Sequence, residues 1–412
     1  MEKWRRNLYI LYVGQFLAMA SMSCVTPFLP LYLQEMGLTD HDEVLLWSSL
    51  IYGANLLTAF LFAPIWGKVA DQHGRKLMLI RSGLGMAITI SLMGVASGPI
   101  HLLLLRLLNG VLSGFSPAAI ALTATSTPKE KSGYALGILH SGSVAGTICG
   151  PLLGGLLADQ FGFRAVFFAT GCCILAATLI VIFWVTENFE KKGEKPEKTG
   201  FVDDFKQIVA RKPIASLILS ATIVRTAMIG TLPLIPLYVQ LLAPSQDNVV
   251  LFAGMATAAM GIANMIAAPQ LGKLGDKFGS HRIFIGAVSG AILFFVPQAF
   301  VQNLWQLIAL RFGTGACLGG LMPSVNALIR QFAPKGMESR TYSYVNCACF
   351  LGGLVGSLGM GAIASWFGLP MIFIGSAVLL LLDLVWMKVA VYPQIRREQE
   401  EASLLRDQQI AK

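Results

Sequence analysis

The chain has 412 residues, of which 55% are hydrophobic and only 13% charged, and it carries a net charge of +9. Soluble domains carry about 25% charged residues, so an ordinary water-soluble enzyme or binding module is excluded. The positive charge is dispersed over short loops between apolar runs, which argues against nucleic acid as a partner.

Twelve apolar segments follow one another at 8–33, 44–66, 77–97, 100–124, 134–157, 165–185, 214–240, 249–271, 282–302, 304–328, 341–364 and 370–392. Each is long enough to cross a ~30 Å hydrocarbon layer as a helix. The first lacks a small-residue cleavage site and reads as a retained span rather than a signal peptide. Of the 31 Lys and Arg, 27 fall in the N-terminus, the alternate loops 66–82, 125–132, 186–213, 272–282 and 330–340, and the C-terminal end of the chain. This distribution predicts an all-α membrane protein with both termini in the cytoplasm. The seven cysteines all fall in spans, without zinc-site spacing, and read as small packing residues.

Between the second and third spans, Gly67-Lys68-Val69-Ala70-Asp71-Gln72-His73-Gly74-Arg75-Lys76 recurs in worn form at Gly272-Lys273-Leu274-Gly275-Asp276-Lys277-Phe278-Gly279. Leu29-Pro30-Leu31-Tyr32 matches Ile235-Pro236-Leu237-Tyr238, Arg106 matches Arg311, and Gly162 matches Gly368, all at offsets of 205 or 206. The chain is therefore two parallel six-span repeats, 1–185 and 213–393. A Lys- and Glu-rich connector at 186–212, with a short amphipathic helix expected near 201–209, joins them, and a tail at 394–412 follows.

In the 67–76 loop, Gly67 and Gly74 permit sharp turning, Asp71 can accept hydrogen bonds at a helix N-terminus, and Arg75 and Lys76 anchor the inner face. Such a loop can latch the cytoplasmic side closed, with Asp276 as its weaker copy. In span four Arg106 either faces a cavity or snorkels to the nearby outer surface. Arg225, in span seven, aligns with Met19 of span one and so has no copy. It sits near mid-membrane, either neutralising Asp383 or meeting an anionic substrate group. Asp383 is the only carboxylate deep in a span; it is the candidate proton carrier unless Lys388, five residues on, neutralises it. Gly146, Gly150, Gly154 and Gly155 allow close helix approach, and Pro151 permits a bend. A central cavity is expected to draw on Phe28, Tyr32, Tyr52, Asn55, Asn109, His140, Arg225, Tyr238, Asn264, Asn326 and Asn346, with His140 and Asn346 at equivalent places in the repeat.

Two parallel six-span halves with a marked loop after the second span of each resemble the major facilitator superfamily. The run Gly146-Thr147-Ile148-Cys149-Gly150-Pro151-Leu152-Leu153-Gly154-Gly155 looks like the antiporter motif of the twelve-span drug:proton antiporters. Trp4-Arg5-Arg6-Asn7-Leu8, Pro27-Phe28-Leu29-Pro30-Leu31-Tyr32, Trp66-Gly67 and Pro128-Lys129-Glu130-Lys131-Ser132-Gly133 are similar to the MdtG/PmrA-type bacterial multidrug efflux pumps. The resemblance implies a monomer in a bacterial plasma membrane, without cofactor or metal. It implies proton-driven export of lipophilic or amphiphilic antibiotics such as fluoroquinolones, dyes and fosfomycin. Protons, drug-like molecules and membrane lipid are its implied partners, with Arg106 as the proton-linked arginine. The chain departs from the pattern in one place, since span one has no acidic residue. A metabolite or sugar transporter and a non-transporting membrane sensor are the competing readings. The sequence has no phosphate-cradling loop or nucleophile arrangement, which disfavours an enzyme and an ATP-driven pump.

Overall fold

The computed structural model describes residues 3–128, 131–187, 210, 212–243, 249–332 and 338–394. The expected helix at 201–209 and the 395–412 tail lie outside these residues. All regular structure among the described residues is helical, as a chain immersed in hydrocarbon requires when each segment must satisfy its own backbone groups.

The first half begins with α1 (Lys3–Val25), a 3-10 turn at Thr26–Phe28, and α2 (Leu29–Glu35). The second opens in the same way, with α8 (Lys212–Gly230), a turn at Leu232–Leu234 and α9 (Ile235–Leu242). Pro27 and Pro30, like Pro233 and Pro236, remove backbone donors and break each span. Next come α3 (His41–His73), α4 (Arg75–Met93), α5 (Pro99–Leu112), α6 (Phe115–Ser126) and α7 (Ser132–Trp184). Their counterparts are α10 (Val249–Phe278), α11 (Ser280–Gln298), α12 (Leu304–Leu318), α13 (Leu321–Phe332), α14 (Glu338–Phe367) and α15 (Met371–Trp386), the last running into a π-turn at Met387–Val391.

Eleven helices among the described residues are long and apolar enough to span a membrane, rather than the twelve expected. The reason is α7, where the fifth and sixth segments run on as one helix and break only at Gly162, with φ 78° and ψ 166°. Gly74 and Gly279 (φ 94° each), and Gly162 and Gly368 (φ 78° and 89°), are left-handed turns that pair across the repeat. Only glycine enters this region without strain.

Each half has its own apolar core, one around Met86, Phe115 and Phe167, the other around Leu217, Phe284 and Phe373. Lipid is as apolar as these side chains, so close packing rather than hydrophobicity holds the helices together. The halves meet where α3 crosses α14 and α7 crosses α10. A Cβ on Gly53 would lie 2.9 Å from Ser357 Oγ, and one on Gly254 would lie 2.5 Å from Pro151 O. Gln34 Nε2 donates to Gln240 Oε1 at 3.2 Å. These contacts lie toward the end holding residues 35–41, whereas Gly67 and Gly272, at the other ends of α3 and α10, face open space. The contacts between the halves thus gather at the 35–41 end.

Candidate functional site

Arg106 sits seven residues into α5 and is 6% exposed, so it does not snorkel to the surface. Its Nε and Nη2 have no hydrogen-bond partner. Arg106 borders a cavity of about 110 Å³ whose other polar lining is Tyr52, Asn55 and Asn109. The walls are set by hydrogen bonds between helices. Asn55 Nδ2 on α3 donates to Asn109 Oδ1 (2.9 Å) and Arg106 O (3.3 Å). Asn109 Nδ2 donates to Thr89 Oγ1 on α4 (2.7 Å), and Thr58 Oγ1 donates to Leu107 O (2.9 Å). Gly110 lets α3 and α5 approach this closely, because a Cβ there would overlap Thr58 Oγ1 and Asn55 O.

Arg311 holds the matching position in α12 but is satisfied by its surroundings. Its Nε donates to Ala256 O at 3.0 Å, and Nη2 reaches Met260 Sδ at 3.4 Å. The two copies thus diverge into a packed arginine and an unpartnered one.

Arg225, half-buried on α8, packs beside Gly352 of α14. It interacts electrostatically with Tyr52 and Cys349, and Tyr52 also interacts with Arg106. Tyr52 is therefore within electrostatic reach of guanidinium groups from both halves.

Asp383 lies elsewhere. It is completely buried in the seam between α15 and α8, and neither carboxylate oxygen has a hydrogen-bond partner. The Ser220 hydroxyl of α8 is its hydrogen-bonding neighbour, although the two do not meet in standard hydrogen-bond geometry. Ser376 Oγ donates to Ala227 O (3.0 Å) on one side of it and Trp386 Nε1 to Ser216 O (3.3 Å) on the other. The expected encounter with Arg225 does not occur. Ser220 and Arg225 are five residues apart, about 140° around a helix, so when one faces α15 the other faces the centre. Lys388 is exposed and borders a separate pocket with Arg282 and Tyr392.

The 67–76 turn is held by a residue that sequence reading missed. Glu187, just past α7, accepts from Arg75 N (2.9 Å) and Lys76 N (2.7 Å) through its two carboxylate oxygens. A carboxylate at a helix N-terminus satisfies free N–H groups and complements the dipole. Lys76 Nζ returns to Ile182 O (2.9 Å), and Asn7 Nδ2 ties Thr186 O to α1 (2.7 Å). An acidic residue immediately after an apolar segment was the available signal. For Asp71, Asp276 and Asn326 only the backbone is described, inside α3, α10 and α13; their side chains lie outside the description.

The glycine run of α7 has two faces. A Cβ on Gly146, Gly150 or Gly154 would strike the backbone of α1 at Phe16, Ala20 or Cys24. Pro151 and Gly155, one residue further round, instead meet Gly254, Val250 and Leu251 of α10 in the other half.

Of the remaining cavity expectations, Phe28, Tyr32 and Tyr238 are packing residues, 2%, 1% and 1% exposed. Tyr32 Oη donates to Met93 O (3.0 Å) and Tyr238 Oη to Gln298 O (2.7 Å), the same tie in each half. Asn264 is half-buried against Gly319. His140 and Asn346 are both exposed. His140 lies eleven residues before Pro151, and Asn346 seven before Gly353, which faces Leu56 across the interface. Those spacings put both on stripes that face the opposite half. Among the described residues no group of three His, Cys, Asp or Glu could hold a metal ion.

The Major Facilitator Superfamily pattern matches residues 11–253 and 249–409. The chain is 39% identical over 397 residues to the multidrug resistance protein MdtG of Citrobacter koseri, covering 96% of this chain and 97% of that one. It is 38% identical over 410 residues to its namesake in Enterobacter lignolyticus, covering 98% of each. Among solved structures, a bacterial homolog of the human lysosomal transporter Spinster, in an inward-facing and occupied conformation, superposes with TM-score 0.80 at 16% identity. That match covers 95% of this chain and 97% of the other. The nucleoside transporter NupG superposes at 0.77 with 11% identity, over 93% and 99%. These two likenesses concern the fold alone.

Proposed function

The chain belongs to the major facilitator superfamily, and from that premise we propose that it is a proton-driven exporter of lipophilic and amphiphilic antibiotics working by alternating access. Fluoroquinolones, dyes and fosfomycin are the substrate classes to try first. In this reading α7 crosses the membrane twice to give twelve spans, both termini face the cytoplasm of a bacterial cell, and the protein works as a monomer. The 38–39% identity to multidrug resistance proteins over nearly the whole chain supports the exporter reading.

The observation that carries the coupling is Asp383. Burying a bare carboxylate costs several kcal/mol, and here only the Ser220 hydroxyl faces it, outside standard hydrogen-bond geometry. The closed α8–α15 seam is therefore compatible with the protonated acid, and loss of the proton would favour opening it to water. Because α8 also carries Arg225, a change in that seam moves a charge at the centre. Arg106 and Arg225 are the proposed charge partners on the substrate side. The turn at Gly67–Lys76, bolted by Glu187, would hold its end of the bundle closed in one of the two states, with Asp71 and Asp276 as proposed latch residues.

The test is Asp383→Asn, which keeps shape and removes the titratable proton. Over-expressing cells should lose protonophore-sensitive efflux across a broad compound panel while protein level and membrane insertion stay at wild type. Unchanged, protonophore-sensitive efflux by the variant would remove Asp383 from the mechanism. If the wild-type protein changes susceptibility to no compound in the panel, the export reading fails.

A further inference from the structure

Arg106 lines a cavity of about 110 Å³, and two of its guanidinium nitrogens are buried without a hydrogen-bond partner. An arginine so buried normally faces an acid. Among the described residues, Tyr52 is the only titratable side chain interacting with it. The other polar lining groups are Asn55 and Asn109, and their amides are already committed to the α3–α5–α4 network. A second cation, Arg225, also interacts electrostatically with Tyr52. The site thus has fixed positive charge, oriented N–H donors and no counter-charge among the described residues.

The contrast with Arg311 shows that the vacant donors are a property of this half and not of the repeat. The equivalent nitrogens of Arg311 are taken up by Ala256 O and Met260 Sδ. The volume is telling as well. At about 30 Å³ per water the cavity holds three or four waters, or one small polar head, whereas drug-sized ligands need about 300 Å³ or more. Met22, Val25 and Leu56 supply its apolar wall.

We infer that this cavity is an oxyanion subsite: the fork of Arg106 receives the carboxylate or phosphonate of an anionic or zwitterionic substrate, while the apolar body of that substrate extends along the apolar wall of Met22, Val25 and Leu56. Guanidinium and carboxylate or phosphonate match as bidentate partners. Tyr52 can donate to the same group, and Arg225 adds attraction from the second half, so occupancy by an anion draws α8 toward α3. The inference deepens the exporter reading and rests on it for the word substrate, but the binding chemistry can be tested without transport.

The experiment uses the purified full chain in detergent and three probes of one shape: 1-naphthoate, 1-naphthylphosphonate and neutral 1-naphthamide, titrated calorimetrically. The acid and the phosphonate should bind about tenfold or more tighter than the amide, the factor expected for a charge-assisted hydrogen bond. Arg106→Gln should bring the acid to the level of the amide and leave the amide unchanged. Arg106→Lys should restore part of the difference, as a point charge without the fork. Should Arg106→Gln fail to fold, Arg225→Gln serves, with a smaller loss confined to the two anionic probes. Equal binding of acid and amide by the wild type, or a variant that weakens all three alike, overturns the subsite. Full competition by inorganic phosphate at equal concentration would make this a free-anion site and overturn the substrate role. No proton gradient is involved, so failure of proton-driven export leaves the result standing, and the reverse also holds.

Discussion

Two arginines at equivalent places, Arg106 and Arg311, show how little local sequence decides whether a buried charge is structural or available. Each sits on the fourth span of its half and is followed four residues later by a glycine, Gly110 or Gly315, that admits the neighbouring helix. What differs is the facing helix: α10 offers Ala256 O to Arg311 Nε, and α3 offers no acceptor to Nε or Nη2 of Arg106. The consequence is testable at the residue scale. Arg311→Met keeps most of the side-chain volume and leaves no carboxylate unpaired, and such exchanges of buried charge are often neutral. The variant should keep drug efflux within about twofold and shift the unfolding temperature by a few degrees at most, as followed by scanning fluorimetry and susceptibility assays. A loss of efflux as deep as that of Asp383→Asn would give Arg311 more than a packing role. Asp383 itself was legible, as the one carboxylate deep in a span. Its separation from Arg225 was not, because that depends on which side of α8 each residue faces, and composition is blind to rotation about a helix axis. Phe28, Tyr32 and Tyr238 misled for a related reason. An aromatic near a proline break suits a cavity wall or a tie to the next turn equally well, and only the location of Met93 O and Gln298 O shows the second.

At the scale of elements, spacing did better. The stripe Gly146, Gly150, Gly154 announced a close helix contact, and α1 occupies it. That Pro151 and Gly155 address the other half instead follows from the 100° step between adjacent residues, once α10 is known to lie there. The 67–76 turn was legible as a device, but its fastener was not, since Glu187 lies 111 residues further along the chain than Lys76. With both oxygens of Glu187 engaged, α4 has a bidentate acidic cap. Glu187→Ala should destabilise the protein by about 1 kcal/mol, within the 0.5–2 kcal/mol range of lost N-caps. Glu187→Gln, with a single accepting oxygen, should fall between. Thermal unfolding of the three proteins in the same detergent measures this. If Glu187→Ala unfolds with the wild type, the carboxylate does not hold the turn, and the linker is free to leave it.

For the whole molecule, the repeat explains the scaffold, and its exceptions explain direction. Paired turns at Gly74/Gly279 and Gly162/Gly368 and paired ties at Tyr32/Tyr238 build two like halves. Arg225 and Asp383 have no copies, and in the proposed mechanism the half that carries them responds to a proton or an anion while the other supplies the pocket. Which end of the bundle is sealed could not be read from sequence, because one sequence must serve both end-states with small differences in free energy. The seal seen here runs through Gln34–Gln240 and the α3–α14 and α7–α10 crossings. Alternating access requires those contacts to part in every cycle. A double variant, Gln34→Cys with Gln240→Cys, joined by a short, thiol-cleavable bis-reactive linker, should therefore hold the 35–41 end shut. Efflux should stop on linking and return to the unlinked level on cleavage, with the single-cysteine controls unaffected by either step. Binding of a naphthoate probe should persist in the linked protein, since the Arg106 cavity exists in this conformation. Efflux that continues at full rate through a completely linked population would mean that the halves never separate at that end, and the substrate path would have to run elsewhere.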